Sequence, residues 1–381
     1  MKQKLSLLTT AAVVAAASQA SAQGLLSIGR NLDRDFERKT PFTYTVGAQV
    51  GWDSNVTMVE NNEQDSAFLS AIFGVEYANG DRRTAYSFNA DYSPLWYFDA
   101  PVGIDDYQHN IHVGFNFRRR INPKMTVTNS FYLAHETSPN FDIGASYSFR
   151  TDPYTYGFNS IALAYAWNRR FSTVTSYTIH GVVYDGPGND YLTHIFANEF
   201  RYAMSRTTTA AFSYRYSIAD FDISVSDYDS HHLLVGFDHR FNPQTSGSIR
   251  VGAEIRDGDT NPYAEAALNY RVSRKTDLRW FAVYGLQTNG SGGNDQESLR
   301  TGLTAVHRFN RRVSGSLALH YVTNETDGLF GDEQEIFAFS AGFDYALFKN
   351  VSLNGGYSFT TSLEDNPFDR HQLRFGVASR F

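Results

Sequence analysis

Residues 371–381 read HQLRFGVASRF, and the fold is decided by how they alternate. Counted back from the end, Phe381, Ser379, Val377, Phe375 and Leu373 lie on one side, and Arg380, Ala378, Gly376, Arg374 and Gln372 on the other. A period of two sends successive side chains to opposite faces of a β-strand. One face is aromatic and aliphatic, and the other carries arginine and glycine. Such a strand belongs between an apolar medium and water.

The same period recurs along the chain. Ile249, Val251, Ala253 and Ile255 alternate with Arg250, Gly252 and Glu254, and Ile111, Val113, Phe115 and Phe117 alternate with His112, Gly114, Asn116 and Arg118. Residues 339–345 and 351–359 follow it as well. No helical stripe of period 3.6 follows the N-terminal segment, so the fold class is all-β. Alternation persists for about 10–12 residues, whereas strands of sandwiches and propellers run about 5–6. Roughly 9–11 residues carry a tilted strand across a bilayer. The architecture expected is a closed antiparallel transmembrane β-barrel of about 18 strands, or 16 if two weak segments are loop hairpins.

The N-terminus reads MKQKLSLLTTAAVVAAASQASAQ, with Lys2 and Lys4 before an apolar run and Ala20-Ser21-Ala22 after it. This predicts a signal peptide over 1–22. Residues 23–40 show no strand pattern and are expected as a periplasmic leader, with the barrel over 41–381. The chain has no cysteine, which excludes disulfides and thiolate metal sites. No second apolar run reaches the length of a spanning helix. Aromatic residues make up 15% of the chain, yet mean hydropathy is −0.39, a combination suited to strands with one apolar face.

Connections alternate between short and long. Short turns such as 118–124, 239–244 and 307–312 are rich in Arg and Lys. Long ones, 52–66, 93–107, 136–156, 184–191, 219–230, 256–263, 287–298, 324–335 and 362–369, hold most of the 40 Asp and Glu, with only Arg150 and Arg256 basic. Segregation by sign fits a two-sided barrel with periplasmic turns and acidic outer loops, an even strand number putting both termini in the periplasm. Loop 141–150 alternates too, and is expected either as an extra hairpin or folded into the lumen.

The alternation projects Arg118, Arg215, Arg250, Arg271, Arg279, Arg300, Arg308, Arg374 and Arg380 inward, with Glu76, Asp91, Glu199, Asp238, Glu254, Glu265 and Asp344. These residues either line a selective pore or form cross-strand ion pairs that hold a wet interior together. Histidines show no metal-ligand spacing, and no G-x-S-x-G, H-E-x-x-H or P-loop occurs. Neither a metal nor a cofactor is expected, no catalytic set is identified, and no nucleic-acid partner is expected.

The stretch TVGAQVGWDSNV at 45–56 resembles the opening of the putative β-barrel porin 2 family, whose first strand ends in an aromatic–Asp–x–Asn element, here Trp52-Asp53-Ser54-Asn55. The resemblance continues as a hairpin repeat with turns such as HRFNPQTS and HRFNRRVS. Phe381 resembles the terminal aromatic read by the outer-membrane barrel assembly machinery. The resemblance implies a bacterial outer-membrane channel among lipid and lipopolysaccharide, passing small solutes or serving exopolysaccharide export. The alternatives are an adhesive barrel whose acidic loops bind a partner or divalent cations, and an outer-membrane hydrolase.

Overall fold

The computed structural model describes residues 40–101, 103–137, 153–186, 190–222, 227–288, 295–326, 333–363 and 367–381. The expected signal peptide, the leader up to residue 39 and the segment 141–150 lie outside them. Among the described residues every regular element is a strand. In chain order they are β1 (Thr40–Asp53), β2 (Ser66–Gly80), β3 (Thr84–Tyr92), β4 (Leu95–Tyr97), β5 (Tyr107–Gln108), β6 (Ile111–Asn122) and β7 (Met125–Glu136). There follow β8 (Tyr154–Ala166), β9 (Phe171–Tyr184), β10 (Tyr191–Ala203), β11 (Thr208–Phe221), β12 (Tyr228–Arg240), β13 (Thr245–Arg256) and β14 (Asp259–Arg271). The last are β15 (Thr276–Thr288), β16 (Asp295–Arg308), β17 (Val313–Thr326), β18 (Glu333–Ala346), β19 (Val351–Ser362) and β20 (Phe368–Arg380).

Eighteen of these strands are the staves of one closed antiparallel barrel. Closure is direct: β1 pairs with β2 on one side and with β20 on the other, from Thr45↔Arg380 to Asp53↔Gln372. The two remaining strands add height instead of circumference. β4 continues β3 along β2, pairing Phe68↔Tyr97 beyond Phe73↔Tyr92, and β5 pairs with β4. Pro94, which has no N–H to give a ladder, sits in the break between β3 and β4. The expected long connection at 93–107 therefore begins and ends as sheet.

The outer face is apolar, with Phe196, Phe200, Phe212, Val235, Phe237, Ile249, Val251, Phe375 and Val377 exposed on it. The intervening positions point inward, as the alternation predicts. Most staves run 12–15 residues, longer than the alternation suggested. The excess over a bilayer crossing carries the hairpins beyond the apolar band.

Both ends of the described chain lie at the short-turn end, where Phe381 and Tyr44 exchange backbone hydrogen bonds at 2.9 and 3.2 Å. Seven of the eight turns there share one device. A single side-chain oxygen accepts the backbone N–H two residues on: Asp81 from Arg83, Asn122 from Lys124, Asn168 from Arg170, Ser205 from Thr207, Asn242 from Gln244, Ser273 from Lys275 and Asn310 from Arg312. These Asx and Ser turns satisfy the N–H groups that a tight reversal leaves out of the ladder. Five of the positions between carry arginine, Arg82, Arg169, Arg206, Arg274 and Arg311, and two carry proline, Pro123 and Pro243.

At the opposite end, one connection contradicts the sequence reading. Residues 256–263, expected as a long loop, form a two-residue hairpin with the ladder complete to Arg256↔Asp259. Asp257 has φ 52° and Gly258 φ 94°, the positive pair that a two-residue turn of primed type requires. Replacing Gly258 by valine forces a β-branched residue into that region and is expected to cost roughly 1–2 kcal/mol. The check is the urea midpoint of the refolded barrel in detergent; an unchanged midpoint would mean that the turn does not need this backbone conformation.

Candidate functional site

The inner wall is built from every second residue, so the register fixes which charges meet. On the wall from β10 to β14 they meet as pairs. Arg250 donates to Glu199 at 3.1 Å and to Asp238 at 3.0 Å, and Arg201 donates to Asp238 at 2.5 Å. Arg215 forms a two-pronged bond with Glu265, at 3.0 and 2.7 Å, and Tyr263 donates to the same carboxylate. Glu254 accepts from Arg256 at 2.6 Å and lies 3.3 Å from His232. The Arg256 guanidinium also covers the Tyr228 ring at 4.0 Å.

Three of the residues projected as pore-lining, Arg215, Arg250 and Glu254, are thus directed inward but only 7%, 1% and 1% exposed. Their charges are spent on neighbours, with the bidentate geometry that makes such bonds strong. Gly236 and Gly252 show how tightly this wall turns. A Cβ on either would lie 1.9 Å from the carbonyl oxygen of the facing strand, Ile249 or Leu233. Only glycine permits that approach.

Elsewhere the pairing continues in smaller groups. His112 sits between Asp91, at 2.6 Å, and Glu136, at 2.8 Å. Arg380 donates to Glu76, and Arg271 meets Asp277 at 3.1 Å on the exposed short-turn rim. Arg118 is inward near the same rim, paired in register with Ala85 and Thr128.

The wall from β15 to β20 differs. Among the described residues Arg279, Arg308 and Arg374 enter no ion pair, and Arg374 donates only to Gln372, at 2.8 Å. Asp344 is the one inward carboxylate of β16–β19 near them, and it too has no ion-pair partner among the described residues. Arg300 on β16 interacts electrostatically with Tyr156 on β8 and His180 on β9, which belong to the opposite wall.

The element Trp52-Asp53-Ser54-Asn55 lies where the barrel closes, and each of its residues makes a bond there. Asp53, 0% exposed, accepts from Arg370 at 2.6–3.1 Å and from Gln372 at 2.7 Å, both on β20. Ser54 exchanges two bonds with the His371 backbone, its N–H donating at 2.9 Å and its hydroxyl oxygen accepting at 2.8 Å. The Asn55 amide donates to the carbonyls of Asp369 and Val59, while its oxygen accepts from the Val59 N–H. Trp52 donates its indole N–H to Asp65 at 3.0 Å. Behind this latch Val56 packs on Phe68, Leu95 and Tyr97. Sequence reading named the element but missed Arg370, because nothing local in the chain announces a partner more than 300 residues away.

Breaking the latch leaves one buried charge without its counter-ion. Asp53→Ala or Arg370→Ala is expected to cost about 3–5 kcal/mol, and Asp53→Leu combined with Arg370→Met to recover most of it. Urea unfolding of the three variants tests this, and a double variant no better than either single one would show that the charges themselves are not what holds the seam.

A family model described as "Putative beta-barrel porin 2" matches residues 258–381. No curated protein matches the chain. Among solved structures, Pseudomonas aeruginosa OccK2 (OpdF) in complex with glucuronate is 10% identical with a TM-score of 0.47, covering 89% of this chain and 98% of that one. Acinetobacter baumannii OccAB2 is 11% identical with a TM-score of 0.45, covering 89% and 98%. The siderophore receptor PirA from Pseudomonas aeruginosa is 10% identical with a TM-score of 0.42, covering 90% and 81%. With its apolar outer face, polar inner face and closed edge, the chain has the architecture of a transmembrane β-barrel, and its residues 258–381 match a porin family model.

Proposed function

We infer that this barrel is a passive outer-membrane channel that favours small anionic solutes. The observation that carries the reading is the imbalance among the inner-wall charges of β15–β20 that have no ion-pair partner among the described residues: Arg279, Arg308 and Arg374 against Asp344. Charge already neutralised within β10–β14 contributes little net field, whereas unpaired guanidinium groups along a confined water path attract anions. Arginine suits carboxylates and phosphates because its planar fork matches their geometry.

Polymer passage, which the family resemblance implies, is the second permeant class. Small solutes are favoured because Tyr132, Tyr154 and Tyr156 on the inner face are buried in one cluster instead of lying open as a rail for sugar rings. Transport is preferred to turnover because both ring nitrogens of His112 are engaged by carboxylates, leaving neither to activate a hydroxyl. The 68% exposure of Phe381 at the short-turn rim supports its recognition by an assembly factor. The short-turn end is then periplasmic, and the acidic loops face outward among lipopolysaccharide.

Planar-bilayer recording under a potassium chloride gradient tests the reading. Discrete conductance steps with an anion-selective reversal potential are expected, and Arg279→Gln, Arg308→Gln and Arg374→Gln together should move that potential toward zero selectivity. Absence of steps would contradict the channel, and a cation-selective reversal potential in the unmodified protein would contradict the assigned preference.

A further inference from the structure

Among the described residues, the lipid-facing surface has one place where amide side chains sit at mid-strand. On β7 and β8, the Asn129 amide donates to the Asn159 carbonyl oxygen at 2.6 Å. On β9 and β10, the Asn198 amide donates to the Thr175 hydroxyl at 3.3 Å. All four point outward. Asn129 is paired in register with Ile161, Asn159 with Phe131 and Ile179, and Asn198 with Tyr214, so each shares its face with an apolar side chain. Among the described residues, no other stave carries an amide or a charge in the middle of its outward face; elsewhere such groups stand near the strand ends, as His231, Glu297 and Glu335 do.

Mid-strand placement puts these amides away from headgroups and water. An amide left facing hydrocarbon without full hydrogen bonding is costly, and two neighbouring amides satisfy only part of each other. The Asn198 carbonyl oxygen has no hydrogen-bond partner among the described residues, but it is buried in the wall and is not presented to the membrane. Gly157, outward on β8 beside Asn159, leaves open space where a side chain would otherwise stand. The patch carries no charge, so a second patch can approach without repulsion.

We propose that the outward face of β7–β10 is the contact through which copies of this chain associate in the membrane. A second copy is the occupant that fits. Lipid tails offer no donors or acceptors, and an amide, having both, complements a copy of itself across a symmetric contact. The four-strand polar patch and the gap at Gly157 are then parts of one interface. This inference stands on the bilayer placement of the barrel and does not depend on the permeant.

The chain has no cysteine, so introduced ones report cleanly. Asn159→Cys and, as a control on another lipid-facing stave, Phe237→Cys are reconstituted in vesicles and oxidised. The expected result is a disulfide-linked dimer from the Asn159 variant and none above background from the control. Native mass spectrometry of the unmodified protein in nanodiscs should give a multiple of the chain mass. The variant Asn129→Leu, Asn159→Leu, Asn198→Leu should shift to a single chain while keeping the heat-modifiable band of a folded barrel. A monomeric unmodified protein, equal cross-linking from both cysteines, or an oligomer that survives the leucine variant would each overturn the proposal.

Discussion

A sheet in hydrocarbon cannot leave an edge unpaired, since every backbone N–H and C=O there must find a partner within the protein. The rest of this structure depends on that constraint. It makes the first and last strands neighbours, and it fixes a single register between them, because a slip by one residue would turn the arginines of β20 toward lipid. The terminal alternation of HQLRFGVASRF is the visible trace of this demand, and the latch of Asp53, Ser54 and Asn55 on Arg370 and His371 reinforces it at the far end. The seam is held by backbone ladder along its length and by a buried ion pair where the ladder stops.

Once the edge is closed, the interior has to be both wet and stable. The molecule divides these tasks around its circumference. From β10 to β14 the inward charges cancel one another in a packed block beside a sharply turned wall. From β15 to β20 three inward arginines, Arg279, Arg308 and Arg374, enter no ion pair among the described residues. In the function proposed above, the same residue type serves cohesion on one side and solute selection on the other, and the register of neighbouring strands decides which.

The fold was legible because period two is a property of the backbone, readable wherever it recurs, as at 249–255 and 371–381. Inward direction followed from it for every arginine singled out. What each arginine does was not legible: Arg215 meets Glu265 from β11 to β14, a contact set by curvature and side-chain reach across intervening strands, which no linear pattern encodes. Two misses had local signals. Asp257-Gly258 is a strong two-residue hairpin sequence hidden among other acidic residues, and Asn129, Asn159 and Asn198 stand at outward positions where the alternation calls for apolar side chains. The break at Pro94 was masked by the reach of the neighbouring loop.

Closure of β1 on β20 in the observed register is the claim on which the account rests, and an engineered disulfide measures it most directly. Ala48 faces Val377 across the seam, at a separation suited to a disulfide between adjacent strands. In the cysteine-free chain, Ala48→Cys with Val377→Cys should oxidise within one molecule in the membrane and change its mobility after unfolding. Ala48→Cys with Phe375→Cys, shifted by two residues, should not. Cross-linking of the shifted pair in preference to the aligned one, or links only between molecules, would contradict the closed barrel described here.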